Sequence, residues 1–202
     1  MKHSLCLTGV LVALLLSACA ARDPHAIANP DPNHTHADFA VWMDGVRMDY
    51  SAEELMSGTS TDEATHDEEH ERHDPYLHLH DGVGHVVHRH KPGLTIGEFF
   101  ATIDIGIAGN CYSAHAPLAD GEICGDHPFR MFVNGEERPL DLAYAFEDLD
   151  QMLFTNAVDD AEAEEQLQRL TDDACLYSKR CPWRGEPPAE SCIADPAVPC
   201  VE

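Results

Sequence analysis

The sequence has few basic residues and no long apolar run. It contains 12 Lys and Arg against 37 Asp and Glu in 202 residues, a formal charge of −25. A surface with that charge repels a phosphate backbone, so nucleic-acid binding is excluded as a function. The longest apolar run, residues 5–16, is shorter than the about 20 residues that a membrane-spanning helix needs. We therefore expect a mature protein that does not span a membrane.

The first residues have the composition of a bacterial export signal. Lys2 precedes the apolar run, and residues 16–19 read Leu-Ser-Ala-Cys. A basic start before a short apolar stretch is typical of a signal peptide. The four residues resemble the bacterial lipobox, which implies that residues 1–18 are removed and that Cys19 carries lipid. We expect an exported protein anchored to a membrane, in a Gram-negative host the outer membrane, facing the periplasm or the cell surface. The alternative is an ordinary signal peptide with a chance cysteine.

The sequence also lacks C-x-x-C, the spacing that favours thiol–disulfide exchange. Cys6 leaves with the signal peptide and Cys19 takes the lipid, which leaves an even number of cysteines in an oxidising compartment. We expect structural disulfides. Cys111 and Cys124 bracket a short polar loop and are expected to pair. The pairing among the last four stays open: Cys175, Cys181, Cys192 and Cys200.

Turn and helix signals divide the mature chain into three parts. Residues 19–33 are a tether, residues 34–156 form one His-rich domain with an acidic loop at 51–74, and residues 157–202 form a C-terminal helix and a Cys-rich clamp. The pairs Asp44-Gly45 and Asn134-Gly135 predict hairpin turns. Thr95 and Glu98 have the spacing of a capping box at a helix start. Apolar residues recurring at helical spacing predict one amphipathic helix over residues 159–175: Ala163, Leu167, Leu170 and Ala174.

Three short segments within residues 85–156 resemble parts of a β-grasp domain. "TIGEFF", "FVNGE" and "EDLDQMLF" are similar to the helix start, the turn and the last strand of small sulfur-carrier proteins. The resemblance implies an α+β fold in which a mixed sheet wraps one short helix. We expect a hairpin ahead of this sheet, and a C-terminal helix and disulfide-stapled tail after it. The chain lacks the Gly-Gly C-terminus of those carriers, so carrier activity is not implied.

A second resemblance covers most of the mature chain. "HTHADFAVWMDG", "YLHLHDGVGHVVHRH" and "CLYSKRCPWRGEPPAESC" are similar to segments of a family of exported, His-rich bacterial and archaeal proteins. Some members are named protein-disulfide isomerases. Because this sequence has no C-x-x-C, the resemblance implies a shared architecture and no disulfide-exchange activity.

Three H-x-H pairs are the strongest functional signal among the 14 histidines. The pairs are His34 and His36, His78 and His80, and His88 and His90. In a strand, residues i and i+2 lie on the same face, so each pair presents two adjacent imidazoles. Imidazole is a ligand for Zn, Cu and Ni, and we expect the six histidines to bind a transition metal, with Zn or Cu favoured. Asp38 and Asp81 are candidate ligands, or hydrogen-bonding partners of the ligands.

The register of the second hairpin decides whether its histidines cluster. A three-residue loop at residues 82–84, with Gly84 left-handed, places His78 opposite His88. The four histidines of this hairpin then share one face, and Leu77, Leu79 and Val87 share the other. A two-residue loop would place His88 beside the leucines. Burial of the apolar residues favours the first register.

Other interpretations of the histidines stay open. The strand histidines could form a polar or pH-responsive face, since clustered imidazoles protonate near pH 6 and repel one another. His66 and His70 match the H-x-x-E-H motif of some zinc proteases, but that motif needs a helix with an apolar face, and the neighbouring residues are polar. With His73, they are better explained as a weak metal-collecting loop or a solvated acidic loop.

These features leave three hypotheses for the function. The first is a lipid-anchored, extracytoplasmic protein that binds a transition metal for storage, delivery or sensing. The second is a metal-dependent enzyme with a His-coordinated ion and an open coordination position. The third is a surface module that binds an unknown protein partner and holds no metal. The sequence offers no separate nucleophile or Ser-His-Asp order, so the first hypothesis is favoured.

Overall fold

The computed structural model of the protein describes residues 23–57 and 74–186. Its strands are β1 (Thr35–Met43), β2 (Val46–Arg47), β3 (Leu77–His78), β4 (Val86–Arg89), β5 (Ile105–Ala108), β6 (Cys111–Ala114), β7 (Gly121–Cys124), β8 (Arg130–Val133), β9 (Glu136–Arg138) and β10 (Gln151–Thr155). Its helices are α1 (Ile96–Thr102), α2 (Asp160–Leu167) and α3 (Ala174–Tyr177), with 3₁₀ turns at Pro24–Ala26, Glu53–Leu55 and Pro182–Arg184. The signal sequence, Cys19, Cys192 and Cys200 lie outside the described residues.

Most strands form one mixed sheet whose centre is a parallel pair. The strand order is β3-β4-β1-β10-β8-β9, and β2 pairs with the end of β1. β1 and β10 run parallel from the pair Asp38 and Gln151 to the pair Trp42 and Thr155. Every other neighbouring pair in this order is antiparallel. The expected α+β fold with a mixed sheet is therefore confirmed.

β1 lies in the middle of this sheet, although its hairpin was expected ahead of the sheet. All 9 residues of β1 are buried, because β4 and β10 pair with its two edges and other segments cover both faces. Asp44 and Gly45 form the predicted turn, with φ values of 49° and 75°. The turn pair thus identifies the hairpin correctly, but not the strands that complete the sheet around it.

One face of the sheet packs on α1 and forms the main core. The predicted capping box is present: the Thr95 side chain accepts a hydrogen bond from the Glu98 backbone N–H, and the Glu98 carboxylate accepts one from the Thr95 backbone N–H. The helix places its apolar side against the sheet, and its buried residues are Ile96, Phe99 and Phe100. They contact odd-numbered residues of β1, including Phe39.

A separate three-stranded sheet carries the first disulfide. Its order is β5-β6-β7, and Cys111 lies directly opposite Cys124 in the β6–β7 register. The two cysteines are bonded, as predicted, with their Cα atoms 4.0 Å apart. Ile105, Ile107 and Tyr112 of this sheet join the main core, so the disulfide braces one edge of that core.

The opposite face of the main sheet is covered by the C-terminal part of the chain. Ala163, Leu167 and Leu170 pack on Trp42 and Leu153, as the helical pattern predicted. The single helix expected over residues 159–175 is wrong, because α2 ends at Leu167 and a new helix, α3, begins at Ala174.

A buried carboxylate explains the break between the two helices. Asp38 of β1 accepts hydrogen bonds from the Thr171 hydroxyl at 2.6 Å and from the backbone N–H groups of Asp173 and Ala174 at 3.0 and 2.9 Å. A continuous helix would direct those two N–H groups to its own carbonyls. The chain therefore leaves the helix to bind Asp38.

The second hairpin has the predicted register but a different turn. His78 pairs with His88, and Leu77, Leu79 and Val87 join the main core on the opposite face. The left-handed residues are Asp81 and Gly82, with φ values of 58° and 70°, and not Gly84. Gly84 is needed for space instead, since a Cβ there would lie 2.3 Å from the Tyr50 carbonyl carbon.

Candidate metal centre

Three adjacent strands bring the six H-x-H histidines to one face of the main sheet. His36 of β1 pairs with His88 of β4, which pairs with His78 of β3. Because side chains alternate along a strand, these three imidazoles form a row across the sheet on the side opposite the core. The other three histidines flank this row, just outside the ends of the strands: His34, His80 and His90.

The six imidazole rings form one continuous cluster, which we name the His cluster: His34, His36, His78, His80, His88 and His90. The ring centroids of His34 and His90 are 3.8 Å apart, and those of His80 and His88 are 3.9 Å apart. Further neighbours are His34 with His36 at 4.4 Å, His36 with His88 at 4.6 Å and His78 with His90 at 4.8 Å. The structure therefore brings together all six of the predicted metal ligands.

The His cluster lies inside the protein. His88 is 0% exposed and His80, the most exposed of the five buried rings, is 7% exposed, while His34 is half-buried. Burying this many polar rings is costly unless hydrogen bonds or a bound ion compensate for the lost water. The cluster is therefore not a solvent-exposed surface, and the polar or pH-responsive face that the sequence left open as an alternative would have to function inside the protein.

Two pairs of ring nitrogens have the spacing of adjacent metal ligands. His34 Nε2 lies 3.1 Å from His36 Nε2, and His80 Nε2 lies 3.2 Å from His88 Nδ1. Two nitrogens bound to one tetrahedral ion at about 2.0–2.1 Å would be roughly 3.3 Å apart. His34, His36 and His88 each offer a ring nitrogen, and these three atoms lie within 4.8 Å of one another. A small inward movement of the rings would bring all three into contact with one ion.

Hydrogen bonds orient the His36 ring. Its Nδ1 lies 2.7 Å from the Ser178 hydroxyl, which donates to Asp148 Oδ1 at 2.5 Å. A carboxylate only accepts hydrogen bonds, so the single Ser178 proton points to Asp148 and Ser178 must accept from His36 Nδ1–H. The His36 lone pair is then on Nε2, which points toward His34. This is the tautomer that a metal ligand needs.

The carboxylate of Asp81 orients the second supported ring. His80 Nδ1 lies 2.8 Å from Asp81 Oδ2, so Nδ1 carries the proton and Nε2 carries the lone pair. That Nε2 is the atom next to His88 Nδ1. Carboxylate–histidine pairs of this kind fix the orientation of metal-bound imidazoles and make them better ligands. Of the two aspartates singled out in the sequence, Asp81 thus contacts the His cluster.

Asp38, the other aspartate, has a structural role. Its carboxylate points to the start of α3 and accepts the three hydrogen bonds that hold the C-terminal segment on the sheet. Burial raises its pKa above the usual value, and the hydrogen bonds from Thr171, Ala174 and Asp173 partly offset that rise. Asp38 also lies near His85 and Asp173. Its oxygens already accept O–H and N–H donors, so we assign it to fold stability.

A short disulfide-closed loop covers the His cluster. Cys175 and Cys181 are bonded, and we name residues 175–181 the lid. The Tyr177 ring lies 4.9 Å from the His88 ring in an edge-to-face arrangement, and 5.6 and 5.9 Å from those of His36 and His80. Ser178 also belongs to the lid, so one loop both covers the rings and orients His36.

The lid is attached to the rest of the chain through Arg180. Its guanidinium donates to Asp148 Oδ2 at 2.9 Å and to the backbone carbonyl oxygens of Ile27 at 2.6 Å and His25 at 3.2 Å. Part of the expected tether therefore contacts the lid. The roles of Ser178, Tyr177 and Arg180 were not predicted from the sequence. The only available signal was their position between two close cysteines, which was interpreted as a structural staple.

Predictions for the acidic loop lie outside the described residues. They include the H-x-x-E-H motif at residues 66–70 and His73. In the described ranges, 23–57 and 74–186, no helix is long and apolar enough to cross a membrane. No protein-family profile, curated protein or solved structure matches this chain. The function is therefore argued from the chemistry of the site.

Proposed function

We propose that this protein is an extracytoplasmic, lipid-anchored binder of a first-row transition metal, with Zn or Cu as the ion. The His cluster supplies the ligands, and the role is storage, delivery or sensing. The observation that carries the proposal is the group of His34, His36 and His88, whose ring nitrogens lie within 4.8 Å of one another. His36 and His88 are directly paired on β1 and β4, and His34 immediately precedes β1.

The strands favour tight binding because they fix the ligands before the ion arrives. His36 and His88 lie inside β1 and β4, and their backbone is ordered by the sheet itself. Ordering a residue costs about 1–2 kcal/mol, and each 1.4 kcal/mol is about tenfold in affinity. A site on the sheet avoids this cost. In a site on a loop, the affinity for the ion would fall with every residue that binding has to order.

The available donors select the class of metal. The described cysteines are held in disulfides, so the His cluster offers imidazole nitrogens and no thiolate. Neutral imidazole suits Zn, Cu and Ni, whereas Ca and Mg prefer oxygen ligands. The formal charge of −25 also raises the local concentration of cations near the protein.

Burial of the rings favours ion binding over catalysis. An enzyme needs an open coordination position that a substrate can reach. Here the lid lies over His36, His80 and His88, and five of the six rings are buried. The described cavity beside Asp38 and Cys175 is lined by none of the six histidines.

The cellular location is proposed from the sequence together with the disulfides. Cys111–Cys124 and Cys175–Cys181 indicate an oxidising, extracytoplasmic compartment. The signal peptide and Cys19 support the lipid anchor, with the outer membrane as its place in a Gram-negative host. The segments "HTHADFAVWMDG" and "YLHLHDGVGHVVHRH" support membership in the exported His-rich family.

Metal analysis of the tag-free protein tests the proposal. We expect at least one equivalent of Zn or Cu to remain bound after dialysis. The double variant His36→Ala/His88→Ala should retain no metal. His115→Ala with His127→Ala is the matched control, because both histidines are exposed and lie outside the His cluster. Deleting residues 61–73 should also leave binding nearly unchanged. Loss of metal on that deletion, with retention in the His36/His88 variant, would reject the strand site. Circular dichroism checks that each variant folds.

A further inference from the structure

The number and arrangement of the imidazoles exceed what one ion needs. Zn in proteins is almost always bound by four ligands, and a catalytic or exchangeable ion by three. The His cluster has six rings on three strands, and β4 lies between β1 and β3. With neighbouring strands about 4.8 Å apart, the outer two are separated by roughly 10 Å. The histidines of β1 and those around β3 are thus placed to bind different ions.

The close nitrogen contacts define two positions within the cluster. The first is the 3.1 Å pair His34 Nε2 and His36 Nε2, on the β1 side. The second is the 3.2 Å pair His80 Nε2 and His88 Nδ1, between β3 and β4. Both separations are close to the ligand spacing of a tetrahedral ion. One ion bound at each pair would be coordinated by both nitrogens of that pair.

Each position has its own hydrogen-bonded support. In the first, His36 Nδ1 is held by Ser178, which is held by Asp148. In the second, His80 Nδ1 is held by Asp81. A site for one ion needs its ligands oriented toward one point. Two separate supports, which direct Nε2 of His36 and of His80 toward different neighbours, indicate two binding points.

His88 belongs to both positions. Its Nδ1 is the atom beside His80, and the same ring also brings a nitrogen within 4.8 Å of those of His34 and His36. An imidazole has two nitrogens, and each can bind a metal once it is deprotonated. His88 is also 0% exposed and central in the row His36–His88–His78. This is the position that a bridging ligand would occupy.

We propose that the His cluster binds two transition-metal ions bridged by the His88 imidazole. The proposal rests on the proposed function and extends it. His34, His36 and His88 hold the first ion. The 3.2 Å pair His80 and His88 holds the second, and His78, whose ring centroid is 5.8 Å from each of them, is the further ring on that side. His90, whose ring lies against those of His34 and His78, borders both positions. When the second ion binds, the ring N–H of His88 loses its proton to solvent, and the new metal–nitrogen bond replaces the N–H bond.

Metal stoichiometry of the wild-type protein tests this directly. The full tag-free chain is stripped of metal and titrated with Zn²⁺ by calorimetry, and the bound ion is counted by elemental analysis. A background variant with His66, His70 and His73 all changed to Ala removes weak binding by the acidic loop. We expect two tight equivalents in both proteins. A single tight equivalent overturns the two-ion proposal while the proposed function stands, and no tight equivalent overturns both.

Copper distinguishes bridged ions from independent ones. In the protein loaded with two Cu²⁺, an imidazolate bridge couples the unpaired electrons, so the ordinary Cu²⁺ resonance at low temperature should account for much less than the total copper. His34→Ala and His80→Ala should each bind one equivalent and show the full uncoupled signal. His115→Ala should match the wild type. Two equivalents with a full uncoupled signal in the wild type would overturn the bridge.

Discussion

The Ser178 hydroxyl determines the tautomer and the orientation of His36, one of the proposed metal ligands. It accepts from His36 Nδ1 and donates to Asp148, so it determines which His36 nitrogen is available to an ion. Losing such a partner costs metal sites about 10- to 100-fold in affinity. We expect this loss for Ser178→Ala, measured by competition with a chromophoric chelator.

The matched control for this substitution is Ser113→Ala. Ser113 is half-buried in β6, and its hydroxyl lies 3.5 Å from the Gly106 carbonyl oxygen, in the small sheet. Its removal should not change metal affinity. Equal affinities for the Ser178→Ala variant and the wild type would contradict the assigned role of Ser178.

The buried Asp38 carboxylate predicts a pH dependence of stability. Burial raises its pKa above the usual 3.8, so the folded protein holds this proton more tightly than the unfolded chain does. A group of this kind contributes most below its unfolded pKa, and its contribution declines as pH rises through the folded pKa. The stability of the wild type relative to Asp38→Asn should therefore fall as pH is raised from about 3.8. Urea unfolding of both metal-free proteins over this pH range measures the difference, and a difference that grows with pH would contradict the prediction.

The lid links a disulfide to the metal site. Three of its residues serve the His cluster: Tyr177 covers the rings, Ser178 orients His36 and Arg180 holds Asp148. For a loop this short, loss of the disulfide costs about 2 kcal/mol of stability. We expect the double variant Cys175→Ser/Cys181→Ser to release its metal faster than the wild type does. Stopped-flow measurement of metal transfer to a chelator gives the two rates.

The other disulfide supplies the control for the lid. Cys111 and Cys124 brace the β6–β7 pair on the opposite side of the sheet from the His cluster. Changing both to Ser should lower the free energy of unfolding without changing the rate of metal release. Equal release rates for the two double variants would show that the lid does not control access.

Elements specified by neighbouring residues were predictable from the sequence. The Asp44-Gly45 and Asn134-Gly135 turns and the Thr95–Glu98 capping box are present as expected, because a few adjacent residues determine their geometry. The pairing of His78 with His88 was also predicted, since one-residue slippage would expose the leucines. The left-handed conformation expected at Gly84 was wrong, since it occurs at Asp81 and Gly82. Gly84 instead leaves space for the backbone of Tyr50, a contact between residues distant in the sequence.

Elements specified by distant residues were not predictable. α2 ends early because Asp38 takes the N–H of Ala174, which is 136 residues away in the sequence. β1 becomes the central strand only through β10, near the other end of the domain. The same holds for the site: the H-x-H spacing identified the ligands, but no local pattern indicates that Tyr177 and Ser178 would cover them.

The proposed anchor places the whole molecule at a membrane surface. Cys19 lies just before the described residues, in the sequence Leu-Ser-Ala-Cys. We expect Cys19→Ser to give an unprocessed precursor or a protein released from the membrane fraction, as seen by mass spectrometry and fractionation. A variant that is processed and membrane-bound like the wild type would reject the lipid anchor.

The contacts of Arg180 have a mechanical consequence. This one guanidinium joins the lid to the carbonyl oxygens of His25 and Ile27, the segment through which any anchor at Cys19 connects to the domain. A pulling force on the anchor would reach Arg180 before it reaches the sheet, whose strands resist extension together. Tension on the anchor would therefore displace the lid before it strains the sheet. The affinity for a bound ion would then depend on the force between the protein and its membrane.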